Sequence, residues 1–448
     1  MNTAPDQAQP LPLEEAALKA NFIRDRIPPG GLFAGMDWRI SPTPFSLGRK
    51  MADDLEKLGR VLLQFNKAVN RLYRLSLEGK QPAWVATLLD QGKPEPLLDL
   101  QRDAAFKNDL PRVIRPDLLI TDSGLHITEL DSVPGGIGLT AWLNQAHAEM
   151  GAPVIGGKDG MVNGFASIFG HASKVHIVVS DEASSYRPEM QWLAAQINPQ
   201  RFLVQDGQFR DFDDGEAVYR FFELFDTGNV ANSETLFEAA RNRQIRVTPP
   251  PKPIFEEKML FALLWNRNLR EFWRQELGES FYKRMLELAP YSWVMDPTPL
   301  PPHAAFPELN LTDWNQLKQL SQKERELILK ISGFSPKAWG ARGVHLGNDL
   351  STADWSAAVD EAISAFAVSP YILQRYEKPA MVNFHWYDFT KNQLHPMPGR
   401  VRLCPYYFVA GEGDAARATL GGVLATICPA DKKIIHGMTD AVLAPAMI

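Results

Sequence analysis

Three carboxylates, Asp117, Glu129 and Asp131, fall within the run Arg115-Pro-Asp-Leu-Leu-Ile-Thr-Asp-Ser-Gly-Leu-His-Ile-Thr-Glu-Leu-Asp-Ser-Val-Pro-Gly-Gly-Ile-Gly138. The run reads as two short strands, 118–121 and 125–130, joined by a turn at Asp122-Ser123-Gly124. Asp117 enters the hairpin, and Glu129 and Asp131 leave it. In an antiparallel pair the entry of one strand lies beside the exit of the next, so the three acids should converge. Glu129 and Asp131 are two apart and leave the same strand face. Like charges at contact distance oppose each other's ionisation, so such a cluster needs a counter-ion. An all-oxygen ligand set suits a hard cation, best Mg²⁺ held jointly with phosphate oxygens. Arg115 brings a positive charge to the same edge. The tail Pro134-Gly-Gly-Ile-Gly138 offers bare backbone for a substrate to approach. The competing reading is a solvated hairpin with scattered surface acids.

A second candidate lies in Leu327-Ile-Leu-Lys-Ile331, which places Lys330 late in an apolar strand. A buried ammonium must find an anion or bear a large desolvation cost. The loop that follows holds Gly333, Gly340 and Gly343, which let backbone approach phosphate oxygens, and Arg342, a mobile cation. The Gly-x-x-x-x-Gly-Lys-[Ser/Thr] spacing of a Walker loop is absent.

Arg-x-Asp, a turn, then Glu-x-Asp and a Pro-containing small-residue loop resembles the metal-binding segment of the glutathionylspermidine synthase family. That family is a circularly permuted branch of the ATP-grasp ligases, in which the metal carboxylates precede the nucleotide lysines. Its third ligand position is usually Asn; Asp131 keeps the oxygen and adds a charge, which leaves the number of metal ions open. The resemblance runs from about residue 112 to the C-terminus. It implies an α/β (α+β) class, an ATP-grasp fold with a helical N-terminal region and a small α/β lobe. Metal binding falls to Asp117, Glu129 and Asp131, and transition-state stabilisation to Arg115. Lys330 followed by Gly333, Gly340, Arg342 and Gly343 is similar to the family's strand lysine and phosphate flap. Glu256-Glu-Lys-Met-Leu-Phe-Ala-Leu-Leu-Trp265 resembles the family helix whose lysine faces the nucleotide, which singles out Lys258, with Lys252 a weaker candidate. A plain helix lysine paired with a glutamate fits Lys258 equally well. Tyr371-Ile-Leu-Gln-Arg-Tyr-Glu-Lys-Pro379 looks like the adenine hinge, with Gln374 and Lys378 as side-chain contacts; an ordinary edge strand is the alternative. The implied activity is an ATP- and Mg²⁺-dependent carboxylate–amine ligase that forms an amide through an acyl phosphate. Its partners would be a small-molecule carboxylate and an amine. Two alternatives stay open: a nucleotide-binding protein without ligation, and an ATP-dependent phosphotransferase.

The elements that must position these residues divide the chain into a disordered leader (1–13), a helical region (14–110), the hairpin with a central sheet (111–172), a small α/β lobe (173–250) and nucleotide-binding lobes (251–448). Leu55, Leu58, Leu62, Phe65, Val69 and Leu72 step by three and four, marking one face of a long helix within 46–78. Shorter helices are expected at 14–28, 84–90 and 140–152, and the N-terminus of the last would point backbone N–H groups at an anion. Strands at 175–180, 201–205 and 217–220 around a helix at 186–196 suit an α/β lobe, where Arg187 and Arg220 are either scaffold or ligand contacts. Helices at 256–265 and 268–288 follow a proline linker. Beyond them come a helix at 314–324, a strand at 327–331, a helix at 355–366 and strands at 371–376, 385–388 and 401–409. The stretch 420–448 carries no matching motif; His436 there either lines an acceptor pocket or is structural.

Bulk properties narrow the classes. The chain has 448 residues, enough for two or three lobes, with 45% hydrophobic and 22% charged residues. A net charge of −6, from 47 basic against 53 acidic side chains, argues against a nucleic-acid surface. Two cysteines, Cys404 and Cys428, make no disulfide framework, and no apolar run is long enough to span a membrane, so the cytoplasm is the expected compartment. His-Glu-x-x-His, Gly-x-Ser-x-Gly, Cys-x-x-Cys and Gly-x-Gly-x-x-Gly patterns are missing, and so is the Cys/His amidase module that some members of the resembled family carry. A ligase built on this chain would be a synthetase only.

Overall fold

The computed structural model describes residues 10–35, 37–432, 435 and 438–448, the side chains of 339–341 excepted. In chain order the first part contains α1 (Leu13–Arg24), α2 (Gly31–Ala34), β1 (Arg39–Ile40), β2 (Phe45–Ser46), α3 (Gly48–Leu77), α4 (Trp84–Asp90) and α5 (Glu95–Arg102). The hairpin β3 (Val113–Thr121) and β4 (Gly124–Asp131) follows, then α6 (Ile137–Glu149) and α7 (Gly160–Ser167). Next come β5 (Val175–Val179), α8 (Arg187–Ile197), β6 (Phe202–Gln205), β7 (Ala217–Phe221), α9 (Ser233–Arg241) and β8 (Arg246–Thr248). After α10 (Met259–Trp265) and α11 (Arg270–Leu288) come β9 (Ser292–Val294), β10 (Leu327–Ile331), β11 (Val344–Leu346), α12 (Thr352–Ser364) and β12 (Tyr371–Arg375). The chain closes with β13 (Met381–Asp388), β14 (Gln393–Ala410), β15 (Arg417–Pro429) and β16 (Val442–Met447). Among the described residues no helix is long and apolar enough to cross a membrane.

Two compact units emerge, and neither is continuous in sequence. Unit 1 comprises Met1–Asn66, Leu100–Phe255 and Pro379–Ile448; unit 2 comprises Lys67–Asp99 and Glu256–Lys378. Helix α3 runs through the boundary, its apolar stripe buried from Leu55 to Leu72.

Unit 1 carries an eight-stranded sheet in the order β1-β16-β15-β14-β3-β4, with β13 also on β14 and β2 also on β16. Its long central strand is β14. Residues 393–400 pair with β13, and residues 402–408 pair with β3. The segment 379–448, placed with the nucleotide-binding lobes by the sequence reading, therefore builds the sheet that carries the acidic hairpin. The reason is burial: Val401, Leu403, Tyr407, Val423, Ile427, Val442 and Ala444 are all at or near zero exposure and need strand neighbours. A second, all-parallel sheet, β6-β5-β7-β8, has α8 and α9 as crossover helices. Phe165 of α7 joins the two sheets, meeting Tyr219 of β7 at 5.0 Å and Phe408 of β14 at 6.4 Å between ring centroids.

Unit 2 is organised on the antiparallel sheet β11-β10-β12-β9. Strand alternation splits its faces. Leu327, Leu329, Ile331, Tyr371, Leu373 and Trp293 pack into a core with Trp314, Trp355 and Val359. Ile328, Lys330, Ile372, Gln374 and Ser292 take the opposite face, in the register Lys330↔Ile372 and Gln374↔Ser292. The helix expected at 314–324 is only a 3₁₀ turn, Trp314–Gln319, opened by an Asp313–Gln316 capping box.

Candidate functional site

The register of β3 on β4 sets Arg115 opposite Asp131 and Asp117 opposite Glu129, with an irregularity between Asp117 and Leu118. All four candidates thus meet at one end of the hairpin. Arg115 ties them together: Nε donates to Asp117 Oδ1 at 2.9 Å, Nη2 lies 2.9 Å from Asp131 Oδ2, and Nη1 donates to the Gly135 carbonyl at 3.2 Å. A residue the sequence reading passed over completes the network. Arg402, carried beside β3 by β14, donates through Nη1 to Asp117 Oδ2 at 3.1 Å. The Cys404 thiol reaches Asp117 Oδ1 at 3.4 Å. Arg402 had a signal: a charge inside the apolar strand Val401-Arg-Leu-Cys404, the same sign that picked out Lys330.

The two acids flanking Arg115 are driven in opposite directions. Burial works to raise the pKa of Asp117, but Arg115 and Arg402 outweigh it and hold the carboxyl below its ordinary value. Asp131 is pushed up to about 6 by burial, with the neighbouring Glu129 charge adding to it against Arg115. Burial and the Asp117 charge push the Cys404 thiol up to about 12, so it is a neutral donor and not a nucleophile.

This donor set bears on the expected Mg²⁺. Among the described residues no three His, Cys, Asp or Glu side chains come together as a metal-holding group. Both Asp117 oxygens are committed to guanidinium groups. Asp131 is engaged at both oxygens as well, Oδ1 by Val133 N and Oδ2 by Arg115, and it and Glu129 repel each other. An oxygen-only pair of carboxylates suits Mg²⁺ in chemistry, and binding through Asp131 would take one of its oxygens from Val133 or Arg115, while Asp117 acts on Arg115 and Arg402.

The loop after the hairpin differs from expectation. Ser132, Val133, Pro134 and Gly136 are buried, not bare to an approaching substrate. A Cβ on Gly135 would lie 2.1 Å from the Tyr186 ring, and one on Gly138 would lie 2.3 Å from the Glu189 carbonyl oxygen. These glycines admit the protein's own helix α8. The N-terminus of α6 is likewise filled from within: Gly136 and Leu139 donate backbone N–H bonds to the two carboxylate oxygens of Glu189, at 2.7 and 3.0 Å. The anion expected at that helix end is this side chain. Nothing in the segment Arg187-Pro-Glu-Met190 announces it. In the same lobe Arg187 donates to the carbonyls of Gln205 and Val179, and buried Arg220 donates to those of Phe222, Pro249 and Pro250, which is scaffolding. Lys252 donates to the carbonyls of Lys107 and Asp109.

In unit 2 the register brings Lys330 and Gln374 onto one sheet face as diagonal neighbours. Lys330 Nζ donates to Gln374 Oε1 at 2.8 Å, and Gln374 Nε2 donates to Ser292 Oγ at 2.9 Å. Gln374 is thus engaged with its own sheet in this state. Lys258 is buried at the start of α10. Its neighbour Glu257 forms a buried ion pair with Lys93 at 2.5 Å and accepts from the Ser332 hydroxyl. A Cβ on Gly333 would lie 1.3 Å from the Glu256 carbonyl oxygen, so this glycine lets the loop pass against the entry to α10. Gly343 packs on Ile331 and the Lys337 carbonyl. Arg342 and Lys378 are exposed. Gly340 lies in the 3₁₀ turn Pro336–Ala341, while His436, like residues 1–9 of the expected leader, lies outside the described residues.

No protein-family model and no curated protein matches the chain. Solved structures do. A glutathione synthetase-like effector from Globodera pallida, in its apo form, aligns over 99% of this chain and 98% of its own, with a TM-score of 0.57 at 12% identity. A protein provisionally described as a gamma-glutamylcysteine synthetase from Methylobacillus flagellatus KT aligns over 86% and 88%, with a TM-score of 0.40 at 11% identity, too low to argue from. The first likeness shows the fold: a mixed α+β, ATP-grasp-like architecture over the length of the chain.

Proposed function

We propose that this protein is an ATP- and Mg²⁺-dependent carboxylate–amine ligase, related to the glutathionylspermidine synthase kind of ATP-grasp enzyme, which forms an amide through an acyl phosphate. One observation carries the reading: two arginines and three acids, Arg115, Arg402, Asp117, Glu129 and Asp131, gathered at one hairpin end of an ATP-grasp-like fold. Buried charge of this density is costly to stability and is characteristic of sites that handle charged reactants.

Roles follow from the chemistry of each group. Lys258 and Lys330 would neutralise the phosphates of ATP, with the loop carrying Gly333, Gly340, Arg342 and Gly343 over them and Gln374 and Lys378 toward the base. Glu129 and Asp131 would hold Mg²⁺, which supplies charge neutralisation for phosphoryl transfer. Arg115 would stabilise the negative charge that grows on the phosphoryl group and then on the tetrahedral centre left by amine attack. Arg402, by sharing Asp117, keeps Arg115 from being fully neutralised by that acid. The products are the amide, ADP and inorganic phosphate.

The decisive experiment is calorimetric titration of ATP with and without Mg²⁺, on the native chain and on Glu129→Ala. Mg²⁺-dependent binding that the variant loses, followed by phosphate release that requires both an acid and an amine, is the expected result. Native protein that binds no ATP would end the ligase reading, and phosphate release unaffected by Glu129→Ala would end the assignment of the metal ligands.

A further inference from the structure

We propose that Glu189 is a positioning residue: its carboxylate latches the loop 132–139 to helix α8 and, through that loop, keeps Arg115 and Asp131 in register. The inference rests on the ligase reading for its catalytic consequence but not for its structural one. Four fasteners converge on this short stretch. Asp131 Oδ1 accepts from Val133 N at 2.8 Å, while the Gly135 carbonyl accepts from Arg115 at 3.2 Å and from the Tyr406 hydroxyl at 2.8 Å. Glu189 closes the far end by accepting from Gly136 and Leu139. The loop therefore connects Glu189 to Arg115 and Asp131 by direct hydrogen bonds at each step.

Glu189 is the fastener that can let go. It is wholly buried, and of the four it alone satisfies two backbone donors with one ionised group. Protonation removes the charge that strengthens both bonds and leaves the hydroxyl oxygen a poor acceptor for the N–H facing it, so the weaker of the two bonds is released most easily. Burial pushes this carboxyl up to about 7, against the lowering effect of the Leu139, Gly136 and Gly138 amides and of Arg115. The ionisable groups facing it are Arg115 from β3, Tyr219 from β7, Tyr406 from β14 and Tyr186 from the turn before α8. Helices α2 and α7 and strand β6, which also pack on α8, carry no titratable residue, and α6 carries His147 and Glu149 only at its far end.

Hydrogen–deuterium exchange of the full-length protein, followed in peptides covering 132–140 between pH 5.5 and 8.5 and corrected for intrinsic rates, tests the latch. Protection should fall roughly tenfold on acidification through neutrality, as expected for loss of one charge-assisted hydrogen bond. In Glu189→Gln it should be lower and independent of pH. The wild-type titration needs no variant, so a poorly folded substitution leaves the test intact. Flat wild-type protection over this range would overturn the latch. The positioning role is read separately: kcat should follow the same titration in the wild type and lose it in Glu189→Gln, with KM for ATP unchanged. A kcat profile that ignores the exchange transition would overturn that role. Native protein without turnover on any acid and amine would overturn the ligase reading, while the exchange data still decide the latch.

Discussion

Replacing Arg402 with methionine keeps most of the side chain's apolar volume and removes one of the two cations on Asp117. The magnitude can be worked from the geometry. At a separation of about 4 Å between charge centres and an effective dielectric of about 20, the attraction is about 4 kcal/mol. Part of that is returned, because the variant no longer has to bury a guanidinium, and Arg115 still holds the other oxygen at 2.9 Å. The expected net loss at pH 7 is about 2–3 kcal/mol. A double-mutant cycle with Asp117→Asn should show a coupling of about 2 kcal/mol, since the second change removes the charge that the first leaves exposed to burial. The pH dependence carries the sign. In the wild type Asp117 has a depressed pKa, so its stabilising contribution is complete above the ordinary carboxylate value and is lost only below it. Without Arg402 the burial effect gains weight, the pKa rises, and the defect should be smaller at pH 4 than at pH 7. Urea unfolding of the full chain, with exchange in peptides from β3 and β14, measures all three quantities. A coupling below about 0.5 kcal/mol would refute the argument that Asp117 is held by both arginines.

His147 on α6 is buried with both ring nitrogens unpartnered, and burial lowers its pKa to about 3. Unfolding lets it bind a proton, so stability should fall as pH drops below about 6.5, by about 2 kcal/mol at pH 5, and His147→Leu should flatten that difference in urea midpoints. Gly333→Ala forces a Cβ into the Glu256 carbonyl and should cost about 3 kcal/mol or more; an unchanged melting temperature would contradict the packing described for that loop. Lys330→Met should leave the fold intact, because methionine matches the volume of the buried stem, yet weaken ATP binding at least about tenfold by calorimetry.

What the sequence could reveal was local. The hairpin showed itself through a turn and period-two alternation, β10 was legible residue for residue in Leu327–Ile331, and α4 in Trp84–Asp90, because each signal lies inside the element that it describes. The closing of the large sheet did not. Its parallel pairs join Arg39 to Val442 and Phe45 to Ala446, and no short-range pattern records a partner so far along the chain. The glycines after the hairpin were visible as glycines, but whether the missing side chain makes room for a ligand or for α8 depends on where Tyr186 and Glu189 arrive.

The charged residues inside apolar strands lie between these cases. One physical rule, that a buried charge must be met, singles out Lys330 in Leu327–Ile331 and applies with equal force to Arg402 in β14. The rule names the residue and leaves its partner open, because the partner sits on another strand: Gln374 for Lys330, Asp117 for Arg402. That difference in partner has functional weight. Arg402 meets a full negative charge on Asp117, so truncating it leaves a buried carboxylate short of a cation. Lys330 meets the Gln374 amide, which offers it a dipole and not a full charge. Of the two strand cations, Arg402 therefore acts through Asp117, while Lys330 is the one proposed to meet the phosphates.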